Sequence, residues 1–233
     1  MDTKQEDFRG VRLLLALFCV AAVVIAGLCV SHRNALPEGV GRVLSEEERS
    51  QVIARNSPLI DYVYLSPNAT FPREGTISKI TIHHMAADLT LENLGDSFGQ
   101  EDRRASANYA IDSRGRIALY VEEQNQAWTS SNADNDSRAV TIEVANDEIG
   151  GTWHVSNEAY NALLTLCTDI CGRNGMRELR FTGDASGTLT IHSMFSSTTD
   201  CPGPYLESLM PEIADEVTRR LQAAASDGGS TAA

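Results

Sequence analysis

The chain has 233 residues, enough for one domain of ordinary size with an appendage. Its 32 acidic residues against 19 basic ones leave a formal net charge of -13. Such a surface repels polyanions, which excludes nucleic acid as a partner.

Lys4, Arg9 and Arg12 precede an uncharged run from Leu13 to Val30. As a helix that run would span about 27 Å, close to the thickness of a hydrocarbon core. It is longer than a usual signal-peptide core, and no Ala-x-Ala site closes it. Leu28 stands before Cys29, where a lipoprotein signal has a small residue. The expectation is therefore a single transmembrane helix within residues 1–31. The chain would be a single-pass protein of the cell membrane, its short N-terminus inside and its domain extracytoplasmic.

Residues 32–57 read as a linker. Pro37, Gly39 and Gly41 break structure, and Ser45 with Glu48 has the spacing of a capping box, predicting a short polar helix from Glu46 to Arg55. The folded domain is expected over residues 58–224, with a Gly-, Ser- and Ala-rich tail at 225–233. Within it, Lys79 to His84 reads as a strand and Leu91 to Phe98 as a short helix. Asn108 to Asp112 and Arg116 to Val121 read as a hairpin turned by Ser113-Arg114-Gly115. A strand over Ala139 to Ala145 follows. A helix over Asn157 to Cys171 is capped by Ser156 and stopped by Gly172, and a closing helix runs from Pro211 toward Ala223. The fold class is α/β, a mixed central sheet flanked by helices.

One tripeptide recurs: Thr-Ile-His at Thr81 to His83, Thr-Ile-Glu at Thr141 to Glu143, Thr-Ile-His at Thr190 to His192. Side chains alternate along a strand, so Ile82, Ile142 and Ile191 would face a core while His83, Glu143 and His192 share the opposite face. Nine residues after His192 comes Cys201, set against Pro202-Gly203, a turn that would fix the thiol. Two imidazoles, a thiolate and a carboxylate make a donor set sufficient for a metal hydrolase. Of the remaining cysteines, Cys19 and Cys29 lie in the apolar run. Cys167 and Cys171, four apart on a helix, are poorly placed for a disulfide and read as buried apolar groups.

Five stretches taken together resemble the zinc-dependent N-acetylmuramoyl-L-alanine amidases, a family that includes phage lysins and peptidoglycan recognition proteins. They are Ile-Thr-Ile-His-His-Met at Ile80 to Met85, Ser-Ala-Asn-Tyr-Ala-Ile-Asp-Ser-Arg-Gly at Ser106 to Gly115, Gln-Ala-Trp at Gln126 to Trp128, Ala-Val-Thr-Ile-Glu-Val at Ala139 to Val144, and Asp-Cys-Pro-Gly at Asp200 to Gly203. They occur in the family's order and span nearly all of Ile60 to Val217.

The resemblance implies Zn2+ held by His83, His192 and Cys201, with Glu143 where many members keep a carboxylate that activates zinc-bound water. It implies a peptidoglycan hydrolase that cuts the amide between N-acetylmuramic acid and L-alanine; the alternative is a module that binds muropeptides without cutting them. Relatives that only bind often lack the cysteine ligand, which this chain keeps. Two departures stand out. Some relatives carry a tyrosine where this chain has Ala107, which accords with a glutamate-dependent reaction. Others carry a lysine where it has Thr199, which makes Thr199 the candidate helper for the oxyanion. Trp128 and Asn108 are candidates to line the substrate groove, against the plainer readings of a core indole and a turn amide. The expected partners are the peptidoglycan substrate and the membrane, with the protein monomeric.

Overall fold

The computed structural model describes residues 36–230. Eight strands and five helices are named here in chain order: α1 Glu46–Arg55, β1 Tyr62–Val63, β2 Ala69–Thr70, β3 Lys79–His84, α2 Leu91–Phe98, β4 Tyr109–Ile111, β5 Ile117–Leu119, β6 Gln126–Ala127, α3 Ala133–Arg138, β7 Ala139–Val144, α4 Asn157–Arg173, β8 Leu189–Ile191 and α5 Gly203–Ser230. Six strands form one sheet in the order β1-β5-β4-β7-β3-β8, while β2 and β6 form a separate antiparallel pair. Only the β4–β5 hairpin is antiparallel within the large sheet, so the sheet is mixed, as the sequence predicts.

The hairpin forms where Asp112 accepts from the backbone of Arg114 and Arg116, at 3.0 and 2.9 Å, and where Gly115 turns the chain at φ 79°. An L-residue at Gly115 would also place a Cβ 2.8 Å from the carbonyl of Glu158. In α4 the Ser156 hydroxyl caps the first turn through the Ala159 amide, 3.1 Å. Its Leu163, Leu166, Cys167 and Ile170 are buried at helical spacing. They pack with Leu206, Met210, Ile213 and Val217 of α5 against Ile80, Ile82, Val140, Ile142 and Ile191 of the sheet. On the other face α2 buries Leu91, Leu94 and Phe98 against Ala107, Ala110, Ala118 and Tyr120. Helices thus cover one face fully and the other only in part, which leaves the middle of the second face for chemistry.

Three boundaries differ from the sequence reading. The capping box of α1 is present in full, with both of its hydrogen bonds. This helix, however, packs on the domain and is no free spacer: Val52 joins the core, and Arg55 and Asn56 bond Glu122. Helix α4 passes Gly172 and ends at Arg173, followed by Asn174, whose side chain caps the Ile170 carbonyl, 2.9 Å. Helix α5 begins eight residues before the predicted Pro211, which sits inside it. The apolar series Leu206, Met210, Ile213 and Val217 holds the helix through the proline. Pro211 is exposed, so water can satisfy the carbonyl that its missing N–H leaves free. The predicted transmembrane helix lies outside the described residues. Among the described residues no helix is long and apolar enough to cross a membrane.

Candidate metal centre

The recurring tripeptide falls on three adjacent strands. β3 pairs in parallel with β7 through Thr81 with Thr141, Ile82 with Ile142 and His83 with Glu143. On its other side β3 pairs with β8 through Thr81 with Thr190 and Ile82 with Ile191. Ile82, Ile142 and Ile191 are almost fully buried in the helix-covered core, as strand alternation predicts. His83 and Glu143 point to the other face. His192 follows directly on the end of β8, in a short 3-10 turn over His192–Met194.

Cys201 is brought to this point by its turn. The His84 amide donates to its sulfur at 3.4 Å, its carbonyl accepts from Ser193 at 3.0 Å, and its amide donates to the Thr199 hydroxyl at 3.2 Å. Gly203, at φ 82°, lets the turn close against two side chains: a Cβ there would lie 3.1 Å from the Trp153 Cβ and 3.2 Å from the His84 ring. His83, His192 and Cys201 each present a ligand atom within 4.8 Å of the others. The Cys201 sulfur is 3.6 Å from His83 Nδ1, and the two imidazole centroids are 4.7 Å apart.

The electrostatics suit a cation. His83 Nε2, His192 Nε2 and Glu143 Oε2 are buried without a hydrogen-bond partner, an arrangement that is costly unless something else satisfies them. Burial, reinforced by His192 and His84, holds His83 well below the usual imidazole range, so it is neutral with a lone pair to donate. Burial likewise lowers His192, against the pull of Asp136. The Cys201 thiol is pushed up by burial and by the neighbouring Glu143, with the His84 amide opposing. Glu143 rises to about 8 because burial disfavours its charge, while Arg103 acts in the opposite sense. A bound dication would supply the missing partner for each of these groups and reverse the penalty on thiolate and carboxylate. The residues present fit a zinc ion.

The other candidates are placed as follows. Thr199 accepts from Cys201, which leaves its own O–H to donate. Trp128, 37% exposed, stands on the wall of a cleft of about 360 Å³ shared with Arg104, Asn132 and Asp136, its Nε1 donating to Thr70 at 2.9 Å. Asn108 is wholly buried and spends its amide inside, donating to the Val121 carbonyl at 3.0 Å and accepting from the Thr141 amide at 3.1 Å. It therefore steadies the strand carrying Glu143 and presents no surface to a groove. A larger cavity of about 480 Å³, lined by Arg55, Arg73 and Arg173, lies toward the beginnings of β3 and β7, away from these ligands. Sequence reasoning missed Arg103 and Asp136, whose charges act on Glu143 and His192; neither sits in a motif that would mark it.

Comparison with known proteins places this geometry in a family. The N-acetylmuramoyl-L-alanine amidase profile matches residues 73–204, more than half of the chain. Among curated proteins none matches the chain in sequence. An endolysin N-acetylmuramoyl-L-alanine amidase from Clostridium intestinale is similar in fold, with 16% identity, 67% of this chain and 95% of that one covered, and a TM-score of 0.51. An endolysin from the Thermus scotoductus bacteriophage Ph2119 gives 17% identity over 62% of this chain and 89% of its own, with a TM-score of 0.47. A selenomethionine derivative of AmpD gives 15% over 80% and 99%, also at 0.47. The profile covers all five motif stretches in full and contains His83, Glu143, His192 and Cys201; on that match the chain belongs to the N-acetylmuramoyl-L-alanine amidases.

Proposed function

We propose that the protein is a zinc-dependent peptidoglycan hydrolase that cuts the amide joining N-acetylmuramic acid to the L-alanine of the stem peptide. His83, His192 and Cys201 hold the metal and Glu143 is the general base. The observation that carries this reading is the meeting of three ligand atoms within 4.8 Å beside a carboxylate whose Oε2 is buried without a partner. Zinc bound there would supply positive charge, polarising the scissile carbonyl and lowering the pKa of a water toward ~7.

Glu143 takes the proton of the attacking water and returns it to the leaving amine, a role that suits a carboxylate whose Oε2 has no partner in the protein. The Thr199 hydroxyl, anchored through its oxygen by Cys201, keeps a proton to donate to the oxyanion. Trp128 offers the substrate an aromatic edge on the cleft wall. Residues 13–30 anchor the chain in the membrane with this domain outside.

Metal content and substrate binding of single variants test the assignment. The parent should carry about one zinc per chain, and Cys201→Ser should bind it far more weakly. Glu143→Gln should keep its zinc and still retain muropeptides, while turnover falls by ~10²–10⁴-fold or more. Full zinc occupancy in alanine variants of all three ligands would dispose of the site. Turnover of Glu143→Gln near the parent's would mean that another group is the base.

A further inference from the structure

The recurring tripeptide has a first residue that the reaction does not use. Thr81, Thr141 and Thr190 are all fully buried, and each lies two residues before His83, Glu143 or His192 on the same sheet face. They form a polar tier one pleat step beneath these three residues. Thr81 and Thr190 hydroxyls meet at 2.9 Å across β3 and β8. Thr141 meets Thr129 at 2.8 Å and accepts from the Asn108 amide at 3.1 Å.

Counting protons gives this tier a direction. Thr190 donates to the Ile80 carbonyl at 3.3 Å, so the proton in the Thr81–Thr190 bond is that of Thr81. Ser130 donates to the Asp136 carboxylate at 2.6 Å. Asn135 touches both Thr81, at 3.0 Å, and Ser130, at 3.2 Å, and with both hydroxyl protons committed only its NH2 edge can serve them. The amide orientation of Asn135 is therefore fixed by its neighbours. An unbroken run of hydrogen bonds leads from Asp136 and Ser130 on the α3 side through Asn135 and Thr81 to Thr190 on the edge strand.

That edge strand needs holding. β8 has three residues, pairs only with β3, and is the last strand of the sheet. His192 lies beyond its ladder, so no sheet hydrogen bond fixes its separation from His83. The nearest side-chain tie across the two strands is the Thr81–Thr190 bridge. Resting on the zinc reading above, we propose that Thr81, clamped between Asn135 and Thr190, is a positioning residue that sets the His83–His192 separation for the metal. The Thr81–Thr190 pair is then a ruler beneath the two histidine ligands that follow it.

The test compares Thr81→Val, nearly isosteric but without a hydroxyl, with Thr81→Ser, which keeps it, both in the full-length chain. Zinc affinity is read by competition with a chromophoric chelator, the Co2+-substituted site by its visible spectrum, and the fold by far-UV circular dichroism. Thr81→Val should keep its secondary structure, bind zinc roughly 10- to 100-fold more weakly and show an altered Co2+ spectrum, as loss of outer-sphere support does elsewhere, while Thr81→Ser stays near the parent. Zinc binding by Thr81→Val as tight as the parent's, with Cys201→Ser impaired, would overturn the proposal and leave the metal site standing. Unimpaired zinc binding by Cys201→Ser would instead sink the zinc reading itself. If Thr81→Val does not fold, Thr190→Val breaks the same bridge from the edge strand and is read in the same way. Failure of both to fold would overturn the positioning role, because the hydroxyls would then serve the fold.

Discussion

The buried carboxylate of Glu143 makes the metal-stripped protein sensitive to pH in a calculable way. Burial raises this carboxyl from an ordinary 4.5 to about 8. Between those values the folded chain keeps a proton that the unfolded chain has released. Stability therefore falls as pH rises through this window, and the loss is complete above the folded value. Each pH unit in the window is worth about 1.36 kcal/mol, which sets a ceiling of about 5 kcal/mol. The residue is partly exposed although its Oε2 is buried, so hydration of the open edge brings the expected loss to about 2–4 kcal/mol. Glu143→Gln keeps the shape and cannot ionise. Urea denaturation of chelator-treated parent and variant between pH 4.5 and 8.5 isolates the effect, since other titrating groups are common to both. The variant should gain on the parent steadily as pH rises, and adding zinc should restore the parent. A parent–variant difference that stays constant across the window would refute the claim that this carboxyl is buried and unpartnered.

Two other outcomes are expected, one from the structure and one from the sequence. Arg73 donates from Nε, Nη1 and Nη2 to the carbonyls of Glu123, Asn125, Asp136, Ser137 and Ala139 at 2.8 to 3.0 Å, stapling the loop before β3 to the start of β7. Arg73→Met should cost about 3–5 kcal/mol in urea denaturation by leaving buried carbonyls unpaired, and a loss under about 1 kcal/mol would show that water replaces the guanidinium. The uncharged run at residues 13–30 should keep the full-length protein in the membrane fraction, its domain open to external protease; mature chains in the medium that start after residue 30 would identify a cleaved signal instead.

Much of the candidate site is legible in the sequence because its residues ride on the strongest local signal available, the alternation of Thr-Ile-X in three strands. Ile82, Ile142 and Ile191 mark the core face, and His83, Glu143 and His192 follow by parity. The hairpin is visible through Asp112 and Gly115, and α1 and α4 through Ser45 and Ser156, because turns and caps are local chemistry. What stays hidden is set by tertiary contact. β1, β2 and β6 are two residues each, too short for any periodicity. α3 reads Ala-Asp-Asn-Asp-Ser-Arg, a polar run whose Asn135 and Asp136 are buried only because Thr81, Thr129 and Ser130 bond them. The start of α5 is masked by Pro202-Gly203-Pro204, which reads as a turn. Asn108, which reads from the sequence either as a groove residue or as a turn amide, is wholly interior, since no sequence pattern tells a buried amide from an exposed one.

In the proposed reaction zinc and Glu143 act together to cut the muramoyl–alanine amide. The direct measurement is to incubate purified peptidoglycan with the parent, with chelator-stripped parent before and after zinc is restored, and with Glu143→Gln, and to quantify the new termini. The parent should release stem peptides bearing free N-terminal L-alanine, stripping should abolish the release, zinc should restore it, and Glu143→Gln should fall by roughly 10²-fold or more. New reducing sugar ends in place of alanine termini, release that survives removal of the metal, or a Gln variant within a few-fold of the parent would contradict it.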